Sequence, residues 1–448
     1  MTQRKTAFVL SGGGAKGAFE AGAVGYLIKE KGICPDIVTG TSAGSICGAV
    51  IAQARTQPEF FAVADQLRDD ILRLSVPGAA FAKQPWLSGL DGTPAGTDIE
   101  NLIKGRARPP IPADPTMDTD VLADASTPDI TLQQGWDDLR SLLASVVRQH
   151  KALHDFSEHN SSAMLLDPLE AAFRGRTPGV GPSRLDESQI GRDGLELRLT
   201  VTALNDACIR YVTEKGDIVE VDAVTAAPGA PAPGVISGVL ASASVPMVFE
   251  PRKLGDDVYV DGGVLENIPL QPAVELGGQD LYVMLADPLR CPPPPVDYAT
   301  TDMFRIYIRA MSSVAFYDQQ RRDMINPRPD GTSVTLIDPT VVVLSTFETA
   351  AGLLTIDMDY GWLRAAGEVS DLSADDKIKA HDLADRIIIG RMRSWYLEEG
   401  LGGTGKDHDA ALKSAKNLVQ DGLRDWQALG LPIPEGADKW HSGTEIHS

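Results

Sequence analysis

Two stretches decide the fold: TAFVLSGGGAKG at residues 6–17 and DIVTGTSAG at residues 36–44. In each, a short apolar run breaks at small residues and a helix-forming segment follows. The expected order is a strand from Thr6 to Leu10, a helix from Ala15 to Lys31, a strand from Asp36 to Thr39 and a helix from Ser42 to Ala54. Alternation of this kind implies parallel strands covered by helices, an α/β protein. On the first helix, Ala18, Ala21, Gly22 and Gly25 make a small-residue face expected to pack closely on the sheet.

Gly12, Gly13, Gly14, Ala15, Lys16 and Gly17 lie where the first strand gives way to its helix. Backbone N–H groups without intrahelical partners converge there and favour negative charge, whether a bound phosphate or an oxyanion formed during reaction. The spacing Gly12-x-Gly14-x-x-Gly17, with Asp36 about 20 residues on, also fits a dinucleotide fingerprint and hence a Rossmann-type oxidoreductase. A Walker phosphate loop is excluded, because Lys16 precedes the last glycine and no Gly-Lys-Ser/Thr follows. The second turn, Gly40-Thr41-Ser42-Ala43-Gly44, sits between a strand and a helix, the setting of a G-x-S-x-G nucleophile elbow. Read more plainly, Ser42 caps a helix after a tight turn.

A serine nucleophile needs a base. The seven histidines, His150, His154, His159, His381, His408, His441 and His447, fall in the long central stretch or near the C-terminus, and none stands at a strand end beside turn residues. His150 and His154 are spaced to share a metal, but no His-Glu-x-x-His pattern accompanies them, so no metal site is expected. Val258-Tyr259-Val260-Asp261-Gly262-Gly263 instead ends an apolar strand in a carboxylate followed by two glycines, which give a tight turn that projects the Asp261 side chain. An aspartate ordinarily titrates near pH 4, so it would need burial and a hydrogen bond to the serine to act as a base.

Farther out, strands are expected at Leu197–Leu204, Leu281–Ala286 and Val334–Ile337. Residues 75–195 are rich in Pro, Asp, Gly and Ser, with short helices expected at Trp136–His150 and Met164–Phe173, and read as an insertion over one end of the sheet. Its apolar segment from Val76 to Leu87 suits a lid touching lipid or a strap packed over the core. Cys291 and the four prolines after it read as a stiff connector. An amphipathic helix is expected over Phe304–Gln320, then charged helices around Ile378–Tyr396 and Ala410–Leu429; Ile387, Ile388, Ile389, Met392 and Trp395 suit docking on the core or on another subunit, and the oligomeric state stays open.

The chain has 448 residues, 62 acidic against 41 basic side chains and a formal charge of −21. Such a field repels nucleic-acid backbones and anionic headgroups alike, so no nucleic-acid partner is expected. Cys34, Cys47, Cys208 and Cys291 form no CxxC pair, which argues against a disulfide framework or zinc site and fits a reducing compartment. The apolar run at Ala7–Leu10 is too short for a signal-peptide core and no stretch is long enough for a spanning helix, so a soluble, cytoplasmic protein is expected.

Taken together, residues 11–17, 40–44 and 261–263, with Ala241 to Pro251 before the last of them, resemble the patatin-like phospholipase family. The resemblance implies a three-layer α/β/α fold with a mostly parallel central sheet, a mixed helix/loop insertion and a helical C-terminal extension. It sets a catalytic domain at 1–290 with the insertion at about 75–195, its C-terminal part at 291–368 and the extension at 369–448. It further implies hydrolysis of lipid carboxylic esters by a Ser42–Asp261 dyad without cofactor or metal. Gly13 and Gly14, with Ala15 assisting, would form the oxyanion hole. Lys16 would add positive potential near a phosphate or carboxylate headgroup, unless it is a solvated first-turn lysine. The implied partner is a lipid or acyl ester, with transient membrane contact compatible. A noncatalytic lipid-binding module of the same fold is the remaining alternative.

Overall fold

Strand β1 (Thr6–Leu10) lies at the centre of a sheet and is fully paired on both sides, with β2 (Ile37–Thr41) in parallel on one and residues 280–284 in parallel on the other. Its side chains alternate strictly: Phe8 and Leu10 enter one apolar cluster, Ala7 and Val9 another on the opposite face. A strand buried on both faces must be apolar throughout, which is why TAFVL shows no polar alternation. The computed structural model describes residues 4–88, 162–229, 232–246, 248–289, 306, 314–325, 328–399 and 406–440.

The remaining strands are β3 (Ala82–Lys83), β4 (Met164–Leu165), β5 (Glu196–Ala203), β6 (Cys208–Thr213), β7 (Ile218–Val219), β8 (Arg252–Leu254), β9 (Asp257–Asp261), β10 (Asp280–Met284) and β11 (Ser333–Ile337). The main sheet runs β11-β10-β1-β2-β5-β6-β7 and is parallel from β11 to β5, then antiparallel through β6 and β7. Strand β9 pairs antiparallel with β5 and carries β8 at its other side, while β3 and β4 form a separate ribbon. Helices cover both faces: α1 (Gly17–Lys29), α2 (Ala43–Ile51), α3 (Gln57–Arg73) and the helices Val235–Ser242 and Ala351–Glu368 bury against one, and Leu270–Glu275 against the other. The three-layer, mostly parallel α/β expectation therefore holds.

Several local expectations change. The first helix begins with a 3-10 turn at Gly14–Lys16 and becomes α-helical only at Gly17. Met164–Phe173 is a two-residue strand followed by a helix from Asp167, whose first turn takes Pro168 because the missing N–H has no intrahelical acceptor there. The described part of the helix expected at Phe304–Gln320 is Ala315–Ile325. The helix expected at Trp136–His150 and the proline connector lie outside the described residues. The segment after Val76 packs down: Ala79 is buried and the Trp86 indole N–H donates to the Ser162 carbonyl at 3.1 Å. Ile387, Ile388 and Met392, on the helix Ala374–Glu398, are buried in the main core cluster. Among the described residues no helix is long and apolar enough to cross a membrane.

The small face of α1 packs on a helix and not on the sheet. A Cβ on Gly22 would fall 1.8 Å from the Met358 carbonyl oxygen, and one on Gly361 1.8 Å from that of Phe19. Two helix backbones thus touch, and the Tyr360 and Phe19 rings meet edge-on beside the contact at 5.2 Å. Gly361→Ala should lower stability by roughly 1–3 kcal/mol or more through overpacking. Gly25→Ala, on the same helix with nothing within 4 Å, should raise it by up to about 1 kcal/mol. Chemical denaturation of both variants checks the pair, and equal midpoints for Gly361→Ala and wild type would contradict the close crossing.

Candidate active site

The register of β5 brings two distant turns together. Thr200 of β5 is paired with Thr41 at the end of β2, and the next residue, Val201, is paired with Asp261 at the end of β9. Strands β2 and β9 run toward each other along the same side of β5 and stop at adjacent positions. Ser42, which follows Thr41, is thereby set beside Asp261.

Ser42 has φ 53° and ψ −118°, a left-handed conformation that costs a side-chain-bearing residue energy and recurs at functional turns. Its neighbours show why the turn needs glycines: a Cβ on Gly40 would fall 2.4 Å from the Gly44 carbonyl oxygen, and one on Gly44 2.5 Å from that of Leu10. The turn is pinned by the Ser42 N–H donating to Ser242 Oγ at 3.0 Å, the Ser45 hydroxyl donating to the Ser42 carbonyl at 2.6 Å, and the Thr41 hydroxyl donating to the Glu266 carbonyl. Ala43 opens α2.

Asp261 is 5% exposed. Its Oδ1 accepts the Gly263 N–H at 2.7 Å. Gly262 lies so tightly against Thr200 that a Cβ would be 2.4 Å from the Thr200 carbonyl oxygen. Burial pushes the Asp261 carboxyl up to about 7, while the Ser42 hydroxyl and the Gly263 N–H draw it partly back. Oδ2 nevertheless has no completed hydrogen bond. The serine is therefore close to the carboxyl without a fully formed bond, a looseness common in unliganded sites that tightens when substrate binds.

The glycine loop faces the same turn. A Cβ on Gly12 would lie 3.2 Å from Ser42 Cβ, and one on Gly17 would lie 3.1 Å from Ala43 Cβ. Gly14 has φ 62°, and a Cβ there would fall 2.3 Å from the Thr346 carbonyl oxygen. Among the described residues, the Gly13 and Gly14 N–H groups donate to no protein acceptor. The Ala15 N–H does, to the Thr346 carbonyl at 2.8 Å, which removes it from the set of free donors.

Lys16 corrects the expectation of a solvated first-turn lysine. Its side chain is 3% exposed, and Nζ lies 2.5 Å from Asp287 Oδ1, itself buried. Glu20 and Asp357 lie close by, and burial pushes both carboxyls well above the usual range. Glu20 Oε1 accepts the Ser11 N–H at 2.6 Å and the Ser11 hydroxyl, and Asp357 accepts the Phe19 N–H. These groups anchor the loop from beneath. Asp36, the ribose-binding candidate, accepts the Thr6 N–H at 2.8 Å at the opposite sheet edge, away from the glycine loop. His381 pairs with Glu368 and His408 with the Leu397 carbonyl, so neither serves Ser42. The other five histidines lie outside the described residues.

Ser42 opens into an apolar pocket with an empty volume of about 640 Å³ that includes its open mouth, lined among others by Leu74, Phe81, Leu166, Val245, Phe249 and Phe347. Sequence reasoning did not single out Asn267, Glu20, Ser242 or Thr346. Asn267 leaves a faint trace, since it and Glu266 are the polar pair within the otherwise apolar stretch Val264–Leu270.

A family model described as patatin-like phospholipase matches residues 8–274. Patatin-like phospholipase domain-containing protein 7 of Rattus norvegicus is 34% identical over 106 residues, which are 24% of this chain and 8% of that protein. The chain therefore spans a small part of that relative's length. Among solved structures, VipD from Legionella pneumophila aligns over 98% of this chain and 90% of its own at 16% identity, with a TM-score of 0.29. The ExoU–SpcU complex of the type III secretion system of Pseudomonas aeruginosa aligns over 95% and 69% at 16% identity, with a TM-score of 0.22.

The raised Asp261 carboxyl has a consequence for stability. The folded state keeps this proton up to pH about 7, whereas an unfolded aspartate releases it near pH 4. The native state thus binds more protons in that window, and stability falls as pH rises through it. Asp261→Asn removes the buried charge, so it should be more stable than wild type at pH 8, by an amount on the order of a few kcal/mol, with the gain shrinking toward pH 4. Calorimetry at both pH values checks this, and a pH-independent difference would contradict it.

Proposed function

The chain belongs to the patatin-like phospholipase family, and from that premise we propose that it hydrolyses carboxylic esters of lipids through Ser42 and Asp261. The observation that carries this proposal is the meeting of a strained, buried serine with a buried carboxyl of raised proton affinity at the mouth of an apolar pocket.

The Asp261 carboxylate takes the Ser42 hydroxyl proton as Oγ attacks the acyl carbonyl carbon. The resulting oxyanion is met by the unpartnered N–H groups of Gly13 and Gly14, with the N-terminus of α2 adding favourable potential. Protonated Asp261 then gives its proton to the departing alcohol, leaving an acyl-serine. Water, deprotonated by the same carboxylate, attacks the acyl-serine and releases a fatty acid. Lipid substrates are supported by the pocket's side chains, nearly all of them apolar, which suit an acyl tail better than a polar group.

Ser42→Ala and Asp261→Asn should each abolish turnover of short-chain p-nitrophenyl esters while leaving the protein folded, and a fluorophosphonate probe should label wild type at Ser42 alone. Turnover by either variant at the wild-type rate would refute the dyad. Because the base must be ionised, kcat/KM should fall tenfold per pH unit below an apparent pKa near 7. The Phe81, Phe249 and Phe347 rings meet at 6.1 to 6.3 Å between centroids along the pocket lining. Phe249→Ala should therefore shift preference toward longer acyl chains, read as the ratio of kcat/KM for laurate and butyrate esters; an unchanged ratio would remove the rings from chain-length selection.

A further inference from the structure

Asn267 lies six residues beyond Asp261 and is 3% exposed. Its backbone carbonyl accepts the Gly12 N–H at 3.2 Å, and its side-chain Nδ2 donates to the Gly12 carbonyl oxygen at 3.2 Å. Both polar groups of one glycine in the loop therefore end on a single residue. The carbonyl of Gly12 and the N–H of Gly13 belong to one planar, trans peptide unit and point in opposite directions. Holding the Gly12 oxygen toward Asn267 turns the Gly13 N–H to the other side, leaving it without a protein acceptor among the described residues.

The same amide reaches the other half of the site. A Cβ on Gly263 would lie 3.0 Å from Asn267 Oδ1 and 3.0 Å from Asp261 Oδ1, so Asn267 stands against the turn that donates to the Asp261 carboxylate. Its own backbone is held from outside by Asp323, on the helix Ala315–Ile325. Asp323 Oδ2 accepts the Ile268 N–H at 3.1 Å, one residue along the chain from Asn267. Other side chains fit the place poorly. An ionised aspartate has no hydrogen to give, and serine is too short to reach the Gly12 carbonyl.

We infer that Asn267 is a positioning residue: it fixes the Gly12–Gly13 peptide so that the Gly13 N–H is presented to the oxyanion, in register with the Asp261 turn. This rests on the ester-hydrolase proposal above. The Asn267→Ala variant keeps the backbone acceptor for Gly12 and loses only the side-chain donor. It should lower kcat for a p-nitrophenyl ester by about 10- to 100-fold, less than outright loss of an oxyanion donor, with KM nearly unchanged because ground-state binding is untouched.

A reversible trifluoromethyl ketone, which adds to Ser42 as a tetrahedral oxyanion, separates positioning from general damage. Its affinity should fall by the same factor as kcat/KM, while that of a free fatty acid of equal chain length stays constant. Rates are referred to sites titrated with fluorophosphonate, and Asn267→Ser carries the same measurements should the alanine variant not fold. Wild-type kcat in either folded variant, or a loss of kcat with ketone affinity unchanged, overturns the assignment while leaving the hydrolase intact. A wild-type protein inert toward ester, ketone and probe alike overturns the hydrolase proposal and this assignment with it.

Discussion

Two consecutive residues of β5 hold the site together. Thr200 fixes where β2 stops and Val201 fixes where β9 stops, so the separation of Ser42 and Asp261 is set by backbone pairing and not by the rotamers of long side chains. A shift of β5 by one residue would carry Arg198, Thr200 and Thr202 into the core side that Leu197, Leu199, Val201 and Ala203 now fill, and burying those polar groups among apolar side chains makes such a slip prohibitively costly. The nucleophile turn and the aspartate turn therefore inherit their precision from the core.

Around this junction the protein buries more acid than is usual. Glu20, Asp261, Glu266, Asp323 and Asp357 are all pushed upward, burial being the leading cause in each. Most of them accept backbone N–H groups at turns, so their cost is partly offset by donors that would otherwise be orphaned. The Lys16–Asp287 pair belongs to the same layer. An isolated ion pair so deeply buried is weak evidence for stability; its position directly beneath the glycine loop accords with keeping that loop in one conformation.

Much of this was legible in the sequence. Short apolar strands ending in glycine fixed the parallel core, because a strand buried on both faces and a turn without room for side chains each restrict composition severely. The G-x-S-x-G turn and the Asp-Gly-Gly turn stood out for the same reason. What escaped depends on long-range contacts. Gly22 reads as a small residue from any viewpoint, and nothing local says that its neighbour is the Met358 carbonyl and not a strand. Lys16 reads as an exposed cation until Asp287 is brought beneath it, and Ala15 as a free donor until Thr346 arrives. Strands β7 and β8 escape because they are two and three residues long, and β6 because Cys208, Arg210 and Thr213 interrupt its apolar pattern although it pairs along its whole length with β5.

The contact between Ala15 and Thr346 reaches beyond the loop it shapes. Thr346 leads into the helix Ala351–Glu368, whose backbone is clasped to α1, and β1 takes its second partner from β10. All three lie past residue 274, where the family match ends. The matched span is thus not a closed packing unit in this chain. Cut out at that boundary, it would present β1 as a bare hydrophobic edge inviting edge-to-edge association, and its glycine loop would have lost one wall. In this chain the matched span supplies the reactive groups, while the residues after it supply part of the mould that holds them.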